Sequence, residues 1–265
     1  MIKLVATDID GTVLIPEGKF TEGVKKCIKR LKEQNIKVVL VTGRMNAAAT
    51  LIAKELDLDT PVISYQGGLI NNNGEILYER YLTENQSEKI LAWAELEKIH
   101  INLYNNDVLY SQTDCFEIQR YCNNQHTNYK IEDFSKIKKN KVNKILAIDY
   151  KNPERIDKLE CELQKVFPEL YIVKSTPYFL EFSNPEASKY CAVKFLQKYW
   201  KLEDKEILVI GDQNNDIALL NAGGVKVAMG NATDGLKSIA DYVTDSVYND
   251  GFVKAMDKFI PNKMN

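Results

Sequence analysis

The chain has 265 residues, 45% hydrophobic and 27% charged, which suits a globular protein with one or two cores. Its net charge of −2 excludes the basic footprint expected of a binder of nucleic acid or anionic membrane. No apolar run approaches the ~18 residues that a membrane span needs.

The strongest signal comes first. Ile2, Leu4, Val5 and Ala6 form an apolar run too short for a helix and suited to a buried strand, and it ends in Asp8-Ile9-Asp10-Gly11-Thr12. Two carboxylates held close at a strand end repel each other. A divalent cation, or a division of labour between nucleophile and acid, would offset that cost; a plain polar turn is the alternative reading. Thr21 then caps a helix with Val24, Ile28 and Leu31 on one face. A second buried strand, Ile36 to Val41, stops at Thr42-Gly43-Arg44. Ala48, Leu51, Ile52 and Glu55 recur at helical spacing between Asn46 and Leu56, and Pro61 to Tyr65 reads as a third strand. This β-α-β-α-β order with near-continuous apolar strands predicts a parallel sheet covered by helices.

The rhythm then changes. Leu69-Ile70 and Ile76-Leu77 flank the turn residues Asn71 to Gly74, a hairpin pattern. From about Leu82 the pattern predicts a helix (Ser87 to Ile99), two short strands (Ile101 to Tyr110) and a helix (Asp114 to Asn124). A solvated lysine-rich loop (Lys136 to Lys141) and a strand (Lys144 to Asp149) follow. Pro153 opens a helix with Ile156, Leu159 and Leu163 on one face, and strands follow at Tyr171 to Lys174 and Tyr178 to Phe182. The parallel rhythm returns with a helix from Ser188 carrying Ala192, Leu196 and Tyr199. Next come a strand (Ile207 to Ile210) ending in Gly211-Asp212, a helix (Asp216 to Asn221) and a strand (Val225 to Met229). Helices near Leu236 to Ala240 and Phe252 to Phe259 finish the chain. The expected fold is α/β. Residues 1–81 and 185–265 form a Rossmann-like parallel-sheet core, interrupted by an α+β domain at 82–184.

Cys27, Cys115, Cys122, Cys161 and Cys191 are widely spaced and, with His100 and His126, make no zinc pattern. The cysteines read as small core residues of a reducing cytosol, and both histidines as surface or satisfied polar residues. The chain reaches Asp8 before a signal-peptide apolar stretch could form, so a cytoplasmic location is expected, with no membrane and no obligatory protein partner.

In an open parallel sheet, ligands bind beyond the carboxyl ends of the strands. Three strand ends carry polar residues of one kind: Asp8 and Asp10; Thr42, Gly43 and Arg44; and Gly211-Asp212-Gln213-Asn214-Asn215-Asp216. The inventory suits phosphoryl transfer. A carboxylate approaching a phosphate is repelled by ~4 kcal/mol per charge pair at about 4 Å and an effective dielectric of about 20, so a cation is needed. Asp8, the Asp10 backbone carbonyl and Asp212 could hold Mg²⁺, Thr42 could donate its hydroxyl, and N–H groups around Gly43 add donors. Lys189, at a helix start, is the best-placed lysine.

Asp8-Ile9-Asp10-Gly11-Thr12, Thr42-Gly43-Arg44, Ser188-Lys189 and Gly211 to Asp216 resemble, in order, the four motifs of the haloacid dehalogenase superfamily of phosphatases. Val227 to Ala232, Ala240-Asp241 and Asn249-Asp250-Gly251 are similar to its Cof-type branch, which inserts an α/β cap between the second and third motifs. The resemblance implies Asp8 as the nucleophile that forms an aspartyl-phosphate and Asp10 as general acid and then base. It implies Mg²⁺ on Asp8, the Asp10 carbonyl and Asp212. Thr42, Gly43, Lys189 and Asn215 would hold the phosphoryl group, with Thr12 in support and Asp216 orienting Lys189 or a metal-bound water. Arg44 is assigned a structural or cap-contact role. Gln66-Gly67-Gly68 departs from the Asn-Gly-Ala common in relatives. The implied activity is hydrolysis of small phosphorylated metabolites, sugar phosphates first. A phosphosugar mutase and a non-enzymatic phosphorelay or phosphate-sensing module stay open as alternatives.

Overall fold

The computed structural model of the chain describes residues 1–125 and 127–261; His126 lies outside the described residues. They divide into two compact units, one built from Met1–Tyr78 and the chain from Ser188 onward, the other from Glu79–Ala187.

The first unit opens with β1 (Leu4–Thr7), every residue of it buried. Helix α1 (Glu22–Glu33) follows, its start fixed by the Thr21 hydroxyl accepting from the Val24 N–H at 3.2 Å, with Val24, Cys27, Ile28 and Leu31 turned inward. Next come β2 (Lys37–Leu40), α2 (Asn46–Glu55), β3 (Val62–Ser64) and a hairpin of β4 (Leu69–Asn72) and β5 (Glu75–Glu79). Two expectations need correction here. The inward face of α2 is Ala49, Ile52 and Ala53, and Leu51 is 66% exposed. Ala47 to Ala49 offered little contrast with which to phase the helix. The third strand touches the parallel sheet only through a Val41–Ile63 bridge and otherwise pairs antiparallel with β4, forming a separate three-stranded sheet.

The inserted unit contains α3 (Glu84–Glu97), β6 (His100–Asn105), β7 (Val108–Ser111), α4 (Phe116–Gln125), β8 (Lys130–Ile131), β9 (Val142–Ile148), α5 (Pro153–Val166), β10 (Tyr171–Thr176) and β11 (Phe179–Ser183). Its six strands run in the order β10-β11-β9-β6-β7-β8, antiparallel except for the short β7–β8 pair. Ile90, Leu103, Ile145, Ile156, Leu180 and Phe182 are among its own buried core. The lysine-rich segment is not wholly solvated, because Lys139 is buried and pairs with Glu88 at 2.8 Å.

The chain returns through α6 (Lys189–Tyr199), β12 (Ile207–Gly211), α7 (Ile217–Leu220), β13 (Val225–Ala228), α8 (Asp234–Lys237), β14 (Tyr242–Val243) and α9 (Gly251–Phe259). The parallel sheet has the order β14-β13-β12-β1-β2, so β1 lies between β2 and β12, in register as Val5–Val38 and Val5–Leu208. Strand β14, too short to show periodicity, was not expected. Two cysteines, Cys27 and Cys122, are buried; Cys115 and Cys191 are half-buried and Cys161 is exposed, so only part of the set serves as core.

The two faces of α2 give a direct test. Ile52→Ala should destabilise by about 2–4 kcal/mol, whereas Leu51→Ala should stay within about 0.5 kcal/mol of wild type, measured by urea-induced unfolding.

Candidate active site

The site grows from the carboxyl ends of two adjacent strands. β1 delivers Asp8, which is held in line by its N–H donating to the Ile210 carbonyl of β12 at 3.0 Å. β12 delivers Gly211 and Asp212, and the turn after it folds so that Asp216 Oδ2 accepts from the Asp212 N–H at 2.9 Å and the Gln213 N–H at 3.1 Å. Ser188 caps α6 by accepting from the Cys191 N–H, and this places Lys189 at the first turn.

Lys189 is fully buried, and its Nζ donates to Asp8 Oδ1 and to Asp216 Oδ1, each at 2.6 Å. Asp8, Asp212 and Asp216, all buried, bring one carboxylate oxygen each within 4.8 Å of the others. With all three carboxylates ionised, one ammonium leaves a surplus of two negative charges in a desolvated space. Burial pushes the Asp8 pKa well up despite Lys189, with Asp216, Asp212 and Asp10 adding repulsion. Burial, followed by repulsion from Asp216, pushes Asp212 up to about 7. Burial opposes the Lys189 ammonium, but the Asp216 and Asp8 carboxylates outweigh it and raise its pKa.

These residues fit a divalent cation. Both Asp216 oxygens are engaged, by Lys189 and by backbone N–H groups, so Asp216 acts as the brace of the lysine. Asp8 keeps Oδ2 after bonding Lys189 through Oδ1. Asp212 is steadied by Thr12 Oγ1 at 3.3 Å and by Gln213 Nε2 at 3.1 Å. A hard, doubly charged ion on Asp8 and Asp212 would cancel the surplus. Asn215 Oδ1 is also buried with no hydrogen-bond partner among the described residues, while its Nδ2 donates to Gln66 Oε1 at 3.2 Å. Gly11, at φ +76°, is required here: a Cβ on it would stand 2.4 Å from Asp212 Oδ2.

Asp10 lies outside the carboxylate cluster. Its side chain is half exposed and is gripped by Arg44, Nε to Oδ2 at 2.8 Å and Nη2 to Oδ1 at 2.5 Å. Arg44 therefore contacts the expected acid directly, a role its neighbours in sequence did not suggest. Thr42 is buried and its Oγ1 accepts from the Arg44 N–H at 3.1 Å, so the hydroxyl braces the turn through Gly43. The Thr42 carbonyl also accepts from the Gln66 N–H at 3.0 Å. Gln66 is the residue that sequence reasoning missed. Tyr65 and Gln66 both have positive φ, 53° and 57°, a strained pair at the end of β3. The departure from the common Asn-Gly-Ala was the only signal. Gly67 completes the turn: a Cβ there would meet the Ser188 carbonyl oxygen at 2.1 Å, so only glycine admits the start of α6.

Comparison with known proteins gives one answer. Residues 5–256 match the profile of the haloacid dehalogenase-like hydrolases. A candidate phosphatase of Streptococcus pyogenes serotype M6 is 30% identical over 271 residues, covering 98% of this chain and 99% of that protein. A Bacillus subtilis 5-amino-6-(5-phospho-D-ribitylamino)uracil phosphatase is 29% identical, covering 98% of each chain. The crystal structure of a haloacid dehalogenase-like hydrolase from Bacteroides thetaiotaomicron superimposes with a TM-score of 0.86 at 25% identity, covering 98% of this chain and 100% of that one.

The raised pKa values predict a pH dependence. A carboxyl whose folded pKa lies above its unfolded value keeps its proton where the unfolded chain has lost it. Metal-free protein therefore loses stability as pH rises from about 4 through the Asp212 value of about 7. Thermal unfolding in chelator should show the melting temperature falling across this window, and added Mg²⁺ should raise it more at pH 8 than at pH 5.

Proposed function

The chain belongs to the haloacid dehalogenase-like hydrolases, and on that basis we propose a Mg²⁺-dependent phosphatase that acts on sugar phosphates through an aspartyl-phosphate on Asp8. The observation that carries the reading is the buried Lys189 bonded to both Asp8 and Asp216 beside Asp212. This arrangement leaves negative charge in excess, which suits a centre completed by a cation and a phosphate.

In this reading Asp8 and Asp212, with the Asp10 carbonyl, hold Mg²⁺, which when bound offsets the repulsion between carboxylate and phosphate and polarises a phosphoryl oxygen. Lys189 neutralises the phosphoryl oxygens while Asp216 holds its ammonium in place. Thr42, Gly43 and Asn215 would hold the phosphoryl group, with Gln66 accepting from the Asn215 amide and so setting its orientation. An Asp8 oxygen attacks phosphorus, and the bond from phosphorus to the substrate oxygen breaks. Protonated Asp10 gives its proton to that oxygen. Asp10 then takes a proton from water as the water oxygen attacks phosphorus, and the bond to Asp8 breaks to release phosphate. Each of these steps requires the Asp10 side chain to exchange its Arg44 partner for the reacting oxygen.

The sugar-phosphate preference is supported by the Bacillus subtilis relative, whose named substrate carries its phosphate on a ribityl chain. Substrate choice is assigned to the inserted residues 82–184. A cytoplasmic setting is supported by five cysteines without a disulfide among the described residues. No helix among those residues is long and apolar enough to cross a membrane.

A phosphate-release screen over phosphorylated sugars, sugar acids, polyols and cofactors tests the proposal. Chelator should abolish release and Mg²⁺ restore it; isomer interconversion without release would replace the reading with a mutase. Asp8→Asn should remove turnover by at least ~10³-fold and Asp10→Asn should lower it ~10²–10⁴-fold, measured as kcat on the best substrate. Undiminished turnover in Asp8→Asn would overturn the covalent route.

A further inference from the structure

A second group of ligating side chains lies wholly within the inserted unit, apart from the chemistry described above. His100 opens β6, Cys115 immediately precedes α4, and Glu117 sits in the first turn of that helix. The Cys115 Sγ is 3.2 Å from His100 Nδ1, and one ligating atom from each of the three residues lies within 4.8 Å of the others. All three line a cavity of about 720 Å³, whose wall also carries Glu88 and Asp133. We propose that His100, Cys115 and Glu117 form a binding site for a borderline-soft divalent cation, Zn²⁺, with its remaining position open to this cavity.

The imidazole is already oriented for the task. His100 Nε2 lies 2.8 Å from Asn102 Oδ1, and because a carbonyl oxygen only accepts, Nε2 carries the hydrogen. The Nδ1 lone pair therefore faces Cys115, and a fully buried amide fixes the ring, as outer partners do for metal-bound histidines. The donor set discriminates between cations: nitrogen, sulfur and a single carboxylate suit zinc, whereas the three-aspartate centre suits magnesium. Two ligands on one tetrahedral zinc, one sulfur and one nitrogen, stand ~3.6 Å apart, so the observed pair needs only a few tenths of an ångström of opening. On coordination the Cys115 thiol proton passes to solvent and the thiolate sulfur replaces the S–H···N contact. The bound ion would tie the start of β6 to the start of α4.

Cobalt(II) is the probe, because only a thiolate ligand gives it a near-ultraviolet charge-transfer band, and the aspartate centre has no sulfur. Full-length metal-free protein in excess Mg²⁺ should develop this band on Co²⁺ titration, saturate at one equivalent, and lose it when Zn²⁺ is added. Cys115→Ser should abolish the band, and His100→Gln and Glu117→Gln should each weaken Co²⁺ binding at least tenfold, with circular dichroism confirming that each variant is folded. Absence of the band in the wild type reduces the Cys115–His100 contact to a hydrogen bond and overturns the site. So does a band that persists in Cys115→Ser, or unchanged affinity in both of the other variants.

Discussion

One buried ammonium organises the catalytic unit. Lys189 is fully buried and lies between two carboxylates that belong to different strands, Asp8 after β1 and Asp216 beyond β12. Taking an ion pair out of water costs several kcal/mol per ion, which only close geometry and further hydrogen bonds repay. The surrounding chain supplies those bonds. The Asp212 and Gln213 N–H groups satisfy the far oxygen of Asp216, Ser188 sets the first turn of α6, and Gly67 lets that turn approach the end of β3. Removing the lysine would leave three desolvated carboxylates facing one another, so the fold of this corner and its chemistry rest on the same bonds.

Arg44 and Gln66 extend the arrangement in different ways. Gln66 orients a neutral amide, Asn215, by accepting a hydrogen bond from its Nδ2. Arg44 engages the one carboxylate that stands outside the buried cluster, and does so through both of its oxygens. A bidentate grip is directional and strong. It gives the Asp10 side chain a defined position outside the buried cluster.

Much of this was legible in the chain. Asp8, Asp212 and Asp216 could be placed because each follows a short, continuous apolar strand, and parallel topology forces such ends together. Thr21 and Pro153 announced their helices through helix-start chemistry that is local by nature. What stayed hidden depends on partners far away in sequence. Nothing near Arg44 points to Asp10, and the burial of Lys139 depends on Glu88, about fifty residues earlier. The α2 face was misphased because alanines dominate its first turn. The departure of β3 from the parallel sheet follows from the hairpin next to it, a competition that an apolar run alone does not reveal. His100, Cys115 and Glu117 escaped notice because metal spacings are recognised when ligands share one loop, whereas here a strand and a helix each supply part of the set.

The position of β1 has a consequence for how the molecule is made. Thr12 and its partner Asp212 are 200 residues apart, and β1 pairs on one side with a strand that leaves the ribosome long after it. At translation rates of about 5–20 residues per second, the first strand waits roughly 10–40 s for β12, with one edge of its ladder unpaired. The inserted unit, with a core of its own, is complete within that interval. The nascent chain thus passes through a stage in which the inserted unit can be folded while Asp8 still sits on an open sheet edge. The buried centre of Asp8, Lys189, Asp212 and Asp216 closes only when the chain from Ser188 onward arrives, so late synthesis completes it.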